Sequence, residues 1–168
     1  MNPGGERPVL IVVDVQNGAL AEIDPGIPLM GGLADRVARI ERVRALVAAW
    51  READAPVVFI QEVHKPSLID FGRELDGAED VHALEGDPAT DLVIEPEPHE
   101  YLIRKRRYSA FFGTELEIVL KAHRADGVVL VGGLTDVCVH YTAVDAHQHD
   151  YHVRVVVDCV GNFSLVRL

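Results

Sequence analysis

The stretch GVVLVGGLTDVC, residues 127–138, constrains the fold most, because an unbroken apolar run ends in paired glycines and passes straight into a helix-forming segment. A run such as Val128 to Val131, with no polar alternation, reads as a strand buried on both faces, as in a parallel sheet covered by helices. Gly132 and Gly133 permit a sharp turn at its carboxyl end. Thr135 is the expected N-cap of the next helix, so Cys138 falls in the first turn, where unpaired N–H groups and the helix dipole favour an anion. A thiol placed there is expected to be acidified toward thiolate.

The pattern of an apolar run meeting a polar turn recurs along the chain. Pro8 to Val13 ends in Asp14 and the turn VQNG, and Val57 to Ile60, released from a preceding helix by Pro56, ends in Gln61, Glu62, Val63 and His64. A shorter strand is expected over His99 to Ile103, running into the cations 104–107, and a last one over His152 to Asp158. Between them, Leu33, Val37, Ile40, Val43, Val47 and Trp50 recur at helical spacing to about Ala53, with Arg36, Arg39, Arg42 and Glu52 on the opposite face. Thr114 is placed to cap a helix to about Arg124, and the Cys138 helix is expected to reach Asp150. Strands alternating with helices predict a three-layer α/β/α, Rossmann-like domain with a mostly parallel sheet, spanning residues 1–168 as one unit. Ligands of such sheets gather beyond the carboxyl ends of the strands, where Asp14 stands.

Composition excludes some partners. A net charge of -11 argues against nucleic acid or an anionic membrane surface. No window approaches the roughly 18 apolar residues of a membrane span. Met1 to Pro8 lacks the charged-then-apolar order of a signal peptide, so a cytoplasmic location is expected. The two cysteines make no disulfide framework, and Cys159 reads as a small buried residue. Asp145, His147, His149, Asp150 and His152 are rich in metal-binding types, but their spacing closes no ligand shell, and histidines at a helix C-terminus suit its dipole. The turn-rich segment from Lys65 to Pro98 reads as an insertion or lid, in which His64, Phe71, Arg73, Glu74 and His82 either line a pocket or serve as loop charges and packing.

The run from Tyr101 to Lys105 sets Tyr101, Ile103 and Lys105 on one strand face, which makes Lys105 the cation expected to be desolvated. Asp14, Lys105 and Cys138 then stand at strand ends or a helix start on one edge of the sheet. Together they permit nucleophilic catalysis. A thiolate attacks a carbonyl, a carboxylate moves the proton to the leaving nitrogen, a cation holds both, and N–H groups near Leu134 and Cys138 receive the oxyanion.

The segments VLIVVDVQNG, KRRYSAFFGTEL and VLVGGLTDVCVHYTAVDAHQHDY resemble the isochorismatase-like cysteine hydrolases, from about Pro8 to Asp158. That resemblance implies Asp14 as general base and acid, Cys138 as nucleophile, and Lys105 as the residue that orients Asp14 and favours the thiolate. It also implies a cis peptide between Gly133 and Leu134, presenting the Leu134 and Cys138 N–H groups to the oxyanion. Cys138 points to carbon–nitrogen hydrolysis of a small amide or N-carbamoyl compound, as in N-carbamoylsarcosine amidase or biuret hydrolase, over vinyl ether cleavage. On this reading the substrate-binding set is Gln16, Glu62, His64, Phe71, Arg73, Tyr108, Phe111, Thr135 and Tyr141. Glu62-Val63-His64 replaces the Asp-x-His of nicotinamidases, so no metal and no cofactor is expected. The family usually continues past the last strand into a further helix, for which the residues after Gly161 are too few; the expected consequence is an exposed patch of apolar sheet surface, and with it either a compensating homo-oligomer contact or a less stable, possibly truncated protein. A non-catalytic binding or assembly protein and a redox-active thiol protein are the competing readings.

Overall fold

The five apolar runs form one all-parallel sheet in the order β3-β2-β1-β4-β5. The strands are β1 Pro8–Val13, β2 Val57–Glu62, β3 Tyr101–Lys105, β4 Gly127–Gly133 and β5 His152–Gly161, and the helices are α1 Leu33–Glu52, α2 Leu116–Ala122 and α3 Cys138–Gln148. The structure is a computed structural model and describes residues 5–22, 32–76 and 79–161. The proline- and glycine-rich stretch 24–32, which reads as a loop in sequence, falls outside these residues except for Gly32, and so does the segment after Gly161.

Both faces of the central strands are covered, which is why their sequences do not alternate. Leu10, Val12, Val57, Phe59, Val129 and Val131 pack with Ile40, Val43 and Val47 of α1 on one face. Val9, Ile11, Val13, Val58, Ile60, Val128 and Leu130 pack with Leu116, Val119 and Leu120 of α2 and with Val139 and Ala146 of α3 on the other. Helices on both sides of a parallel sheet give the three-layer α/β/α architecture. Within the described sheet β5 is an edge strand, and Val157 on it is 80% exposed.

Several local readings need correction. β3 begins two residues later than expected and runs through Lys105, because it pairs with β2 in a register that sets Glu62 against Lys105. Arg36 is buried, with Nε donating to the Ala19 carbonyl at 2.9 Å, whereas Val37 is 41% exposed, so the inner face of α1 starts one residue earlier than its apolar pattern indicates. Thr135 does not cap α3: its N–H donates to the Gly161 carbonyl at 2.8 Å, and the residue before the helix is Val137, which makes no side-chain cap. Thr114 does accept from the Leu116 N–H at 3.2 Å at the start of α2. The segment from Lys65 to Pro98 is held to the sheet edge rather than loose, by bridges of His64 with Leu84 and of Gln16 with Leu92.

Candidate active site

The carboxyl ends of β1, β2, β3 and β4 meet the start of α3 around one cavity of about 370 Å³. The backbone of Asp14 leaves β1 in the left-handed region, at φ 49°, which turns its side chain back toward the neighbouring strand. The Glu62 N–H donates to Asp14 Oδ1 at 2.8 Å and fixes the carboxylate. Gly132, one residue beyond β4's pairing with Val12, has φ 111°, and a Cβ there would collide with the Val13 carbonyl oxygen. β1 and β4 therefore approach closely where the site is built, and only glycine permits it. The Gly133–Leu134 peptide bond is cis.

Asp14, Lys105 and Cys138 are brought together at the floor of this cavity. Lys105, with no exposed surface, sets its Nζ 2.9 Å from Asp14 Oδ2, 2.6 Å from Glu62 Oε2 and 3.3 Å from Cys138 Sγ. Oδ2 of Asp14 is ion-paired with the Lys105 ammonium, and a carboxylate oxygen so engaged still has a further lone pair to accept a proton. Burial works to discharge the ammonium, but Asp14, Cys138 and Glu62 outweigh it and hold Lys105 well above the ordinary lysine value. Burial raises Asp14 to about 6 against the pull of Lys105. Glu62 is also penalised by burial, yet Lys105 and the hydrogen bonds of His64 and His82 hold it well below the ordinary carboxylate range.

Cys138 departs from the sequence expectation. Burial pushes its thiol well above the ordinary value, and the carboxylates of Glu62 and Asp14 add to this against Lys105. A start-of-helix position alone predicts the opposite direction. One buried cation shared by two carboxylates is not enough to support a third anion, so the resting sulfur carries its proton. Around it, the N–H groups of Thr135, Val137 and Val139 all donate to backbone carbonyls. Among the described residues, those of Leu134 and Cys138 have no backbone acceptor.

The other expected site residues divide into three groups. Gln16, Glu62 and Tyr108 line the cavity. His64 and Phe71 stand behind its wall, both buried and stacked with ring centroids 3.8 Å apart. Arg73, Phe111, Thr135 and Tyr141 do not line it. The Arg73 side chain is 94% exposed and paired with Asp76, Phe111 stacks on His149, and Tyr141 lies against Tyr108 from outside. The rest of the lining comes from Gly18, Ala19 and Ala21 beyond β1, from Glu74, from residues 79–89, including Glu79, Val81, His82 and Leu84, and from Gly133, Leu134 and Val137. Glu79 carries no sequence signal; it is brought in because the 83–85 backbone pairs with His64.

No metal site is expected from spacing, yet the fold assembles Glu62, His64, Glu74 and His82, with donor atoms within 4.8 Å of one another. Glu62 Oε1 lies 3.2 Å from His64 Nε2 and 3.4 Å from His82 Nε2, and Glu74 Oε2 lies 3.6 Å from His64 Nε2. Nδ1 of His82 lies 2.6 Å from the Asp80 carbonyl, and against its burial Glu62 and Glu79 raise the pKa of the ring. Both oxygens of Glu74 are buried without a hydrogen-bond partner, and its carboxyl is raised to about 9 by burial and by Glu62. Two imidazoles with two carboxylates are a zinc-type donor set once their protons are displaced, so the group suits a divalent cation. The histidines and acids at 145–152 that look metal-like in sequence form no such group among the described residues.

A strained strand end, a buried thiol beside a carboxylate and an ammonium, and open N–H groups on a parallel α/β sheet define a hydrolase-type site. The isochorismatase domain model matches residues 8–166, and the chain belongs to the isochorismatase family. It is 33% identical over 164 residues to the maleamate amidohydrolase of Pseudomonas putida, covering 94% of this chain and 74% of that protein. It is 30% identical over 175 residues to the ureidoacrylate amidohydrolase of Methylobacterium radiotolerans, covering 89% of this chain and 65% of the relative. The N-carbamoylsarcosine amidase of Thermoplasma acidophilum superposes with a TM-score of 0.78 at 30% identity, over 96% of this chain and 86% of that one.

Proposed function

We propose that this chain is an amidohydrolase that cleaves a carbon–nitrogen bond of a small amide or ureido compound through a Cys138 thioester. The observation that carries the reading is the convergence of Asp14 and Cys138 on the single buried ammonium of Lys105, at the floor of a substrate-sized cavity. Relatives that are amidohydrolases support the reaction class.

Because the resting thiol is protonated, attack and deprotonation are coupled. Cys138 Sγ bonds to the carbonyl carbon as its proton passes to Asp14 Oδ2, which has a further lone pair to accept it and whose pKa of about 6 leaves it ionised at neutral pH. The oxyanion is received by the open N–H groups of Leu134 and Cys138. Asp14 then gives the proton to the nitrogen, the carbon–nitrogen bond breaks, and ammonia or an amine leaves an acyl or carbamoyl thioester on Cys138. Water, giving a proton to Asp14, attacks the thioester carbonyl; the carbon–sulfur bond breaks and the proton returns to sulfur. Lys105 holds its charge throughout and keeps Asp14 and Glu62 in place. Glu62, His64, Glu74 and His82 would hold a divalent cation, which supplies Lewis acidity at the cavity wall when bound.

Ammonia release measured over a panel of primary amides and ureido acids tests this. Turnover is expected for at least one small amide and is abolished in Cys138→Ala; turnover that survives that change overturns the mechanism. We also propose that the protein acts in the cytoplasm as a homo-oligomer. The 71% exposure of Ile118 on α2 and the 51% exposure of Tyr141 on α3 support the assembly, and light scattering after gel filtration measures it. Among the described residues, no helix is long and apolar enough to cross a membrane.

A further inference from the structure

Apart from the buried network at its floor, the cavity offers a substrate an apolar wall and acids. Ala19, Val81, Leu84 and Val137 supply apolar surface, with Tyr108 at one side. The titratable groups in the lining are Asp14, Glu62, Glu74, Glu79, Asp87 and His82, with no lysine or arginine among them. Among the described residues, Lys105 is the ammonium beside the reacting groups, and it is already committed to Asp14 and Glu62 at 2.9 and 2.6 Å. Of the neighbouring cations, Lys65 pairs with Glu85 at 2.6 Å, Arg106 with Asp70 at 2.8 Å and Arg73 with Asp76 at 3.2 Å, while Arg36 and Arg39 line a separate small pocket that shares only Asp14, Ala19 and Gly133 with this cavity. The segments outside the described residues, 1–4, 23–31, 77–78 and 162–168, contain one basic side chain, Arg167.

From this lining we infer that the enzyme selects amides whose remaining body is uncharged and apolar, and rejects otherwise identical substrates that carry a carboxylate. The inference rests on the hydrolase reading for its reaction but on the cavity wall for its selectivity. With no metal bound, a substrate carboxylate in this cavity would lose its water, meet no free cation and face the carboxyl groups of Glu79 and Asp87. An uncharged body avoids that penalty and keeps contact with the alanine and valine surface. Maleamate, the compound in the Pseudomonas putida relative's name, carries such a carboxylate, so this selectivity separates the chain from that relative.

Two matched pairs of reagents test the selectivity, each differing only by a carboxamide in place of a carboxylate. The first is maleamide against maleamate, read as kcat/KM by ammonia release in protein treated with chelator. Maleamide is expected to be favoured by more than about a hundredfold, the scale of an unpaired buried charge. The second pair needs no turnover. Iodoacetamide and iodoacetate both alkylate thiols, and peptide mass spectrometry reads the rate at Cys138, normalised to the same ratio on glutathione. Iodoacetamide is expected to be favoured at least about tenfold beyond glutathione. If no amide is hydrolysed but the alkylation preference appears, the hydrolase reading fails and the selectivity stands.

Val81, 38% exposed at the cavity wall, provides the converse variant. Val81→Arg is expected to raise the maleamate-to-maleamide ratio of kcat/KM about tenfold, and the iodoacetate-to-iodoacetamide rate ratio likewise. Equal handling of the two members of both pairs, or a preference for the carboxylate, overturns the inference. Failure of both reagents to alkylate Cys138 overturns it together with the role given to that thiol.

Discussion

Lys105→Met isolates the buried ammonium that holds the site together. In the native protein Nζ lies 2.6 Å from Glu62 and 2.9 Å from Asp14, with all three side chains shielded from water. Without the ammonium, the two carboxylates face each other and can persist in the folded state only by taking up protons. Each unit of pKa shift is about 1.4 kcal/mol, so neutralising Glu62 at pH 7 costs about 4 kcal/mol. Asp14, already raised to about 6, adds about 1 kcal/mol by the same conversion. The sum, about 5 kcal/mol, is at the upper end of what removing one partner of a buried ion pair usually costs.

The sign with pH is definite. Both carboxyls in the variant have folded pKa values above their unfolded ones, so the stability they contribute is fully present below about pH 4 and is lost as pH rises through the folded values. The native protein moves the other way through Glu62, whose folded pKa is depressed, so that stability is present above its unfolded value and lost as pH falls. The two proteins therefore converge in acid. Urea unfolding followed by the fluorescence of Trp50, the single tryptophan, measures this. A gap of about 5 kcal/mol at pH 7 that narrows steadily as pH falls toward about 4.5 is expected. A pH-independent gap, or one below about 1 kcal/mol at pH 7, refutes the electrostatic account of Lys105.

Further outcomes follow from the same geometry. Asp14→Asn is expected to fold normally and to lose about a thousandfold in kcat, since general base and acid catalysis disappear together. In the native enzyme kcat/KM should fall as pH drops through about 6, where Asp14 takes up its proton, and a profile flat to pH 5 would contradict that role. Gly132→Ala is expected to lose more than about 2 kcal/mol in urea unfolding, because its φ of 111° and the Val13 carbonyl leave no place for a methyl group. Arg73→Ala should keep kcat/KM within about twofold, the side chain being 94% exposed and paired with Asp76.

How far the sequence carries depends on the range of the forces involved. β1 and the two-sided burial of β4 are legible because a continuous apolar run has one economical environment, the interior of a parallel sheet. Asp14 and Lys105 are legible because each directly follows or ends a strand run, and Cys138 because it opens the helix after the glycine turn that ends β4. Arg36 is misjudged because its partners, the Ala19 and Ala21 carbonyls, belong to a distant turn that nothing in the helix pattern announces. The cavity wall is illegible for the same reason. Glu79, Val81 and Leu84 reach it only because backbone pairing to His64 folds their segment over the end of β2. Cys138 shows the limit most clearly: its helix-start position predicts an acidified thiol, but burial beside Asp14 and Glu62 outweighs the dipole and Lys105 and reverses the direction. Burial and neighbouring charge are tertiary properties, and they decide the protonation that the chemistry starts from.

The central claim is a covalent intermediate on Cys138, and trapping it is the direct measurement. Protein mixed with a turned-over amide, quenched in acid within milliseconds and digested, is analysed by mass spectrometry. The account predicts an acyl mass on the peptide containing Cys138 and none on Cys159, with the adduct absent in Cys138→Ser treated alike. Steady-state hydrolysis with no adduct on Cys138 at any quench time, together with activity retained in Cys138→Ser, would contradict it.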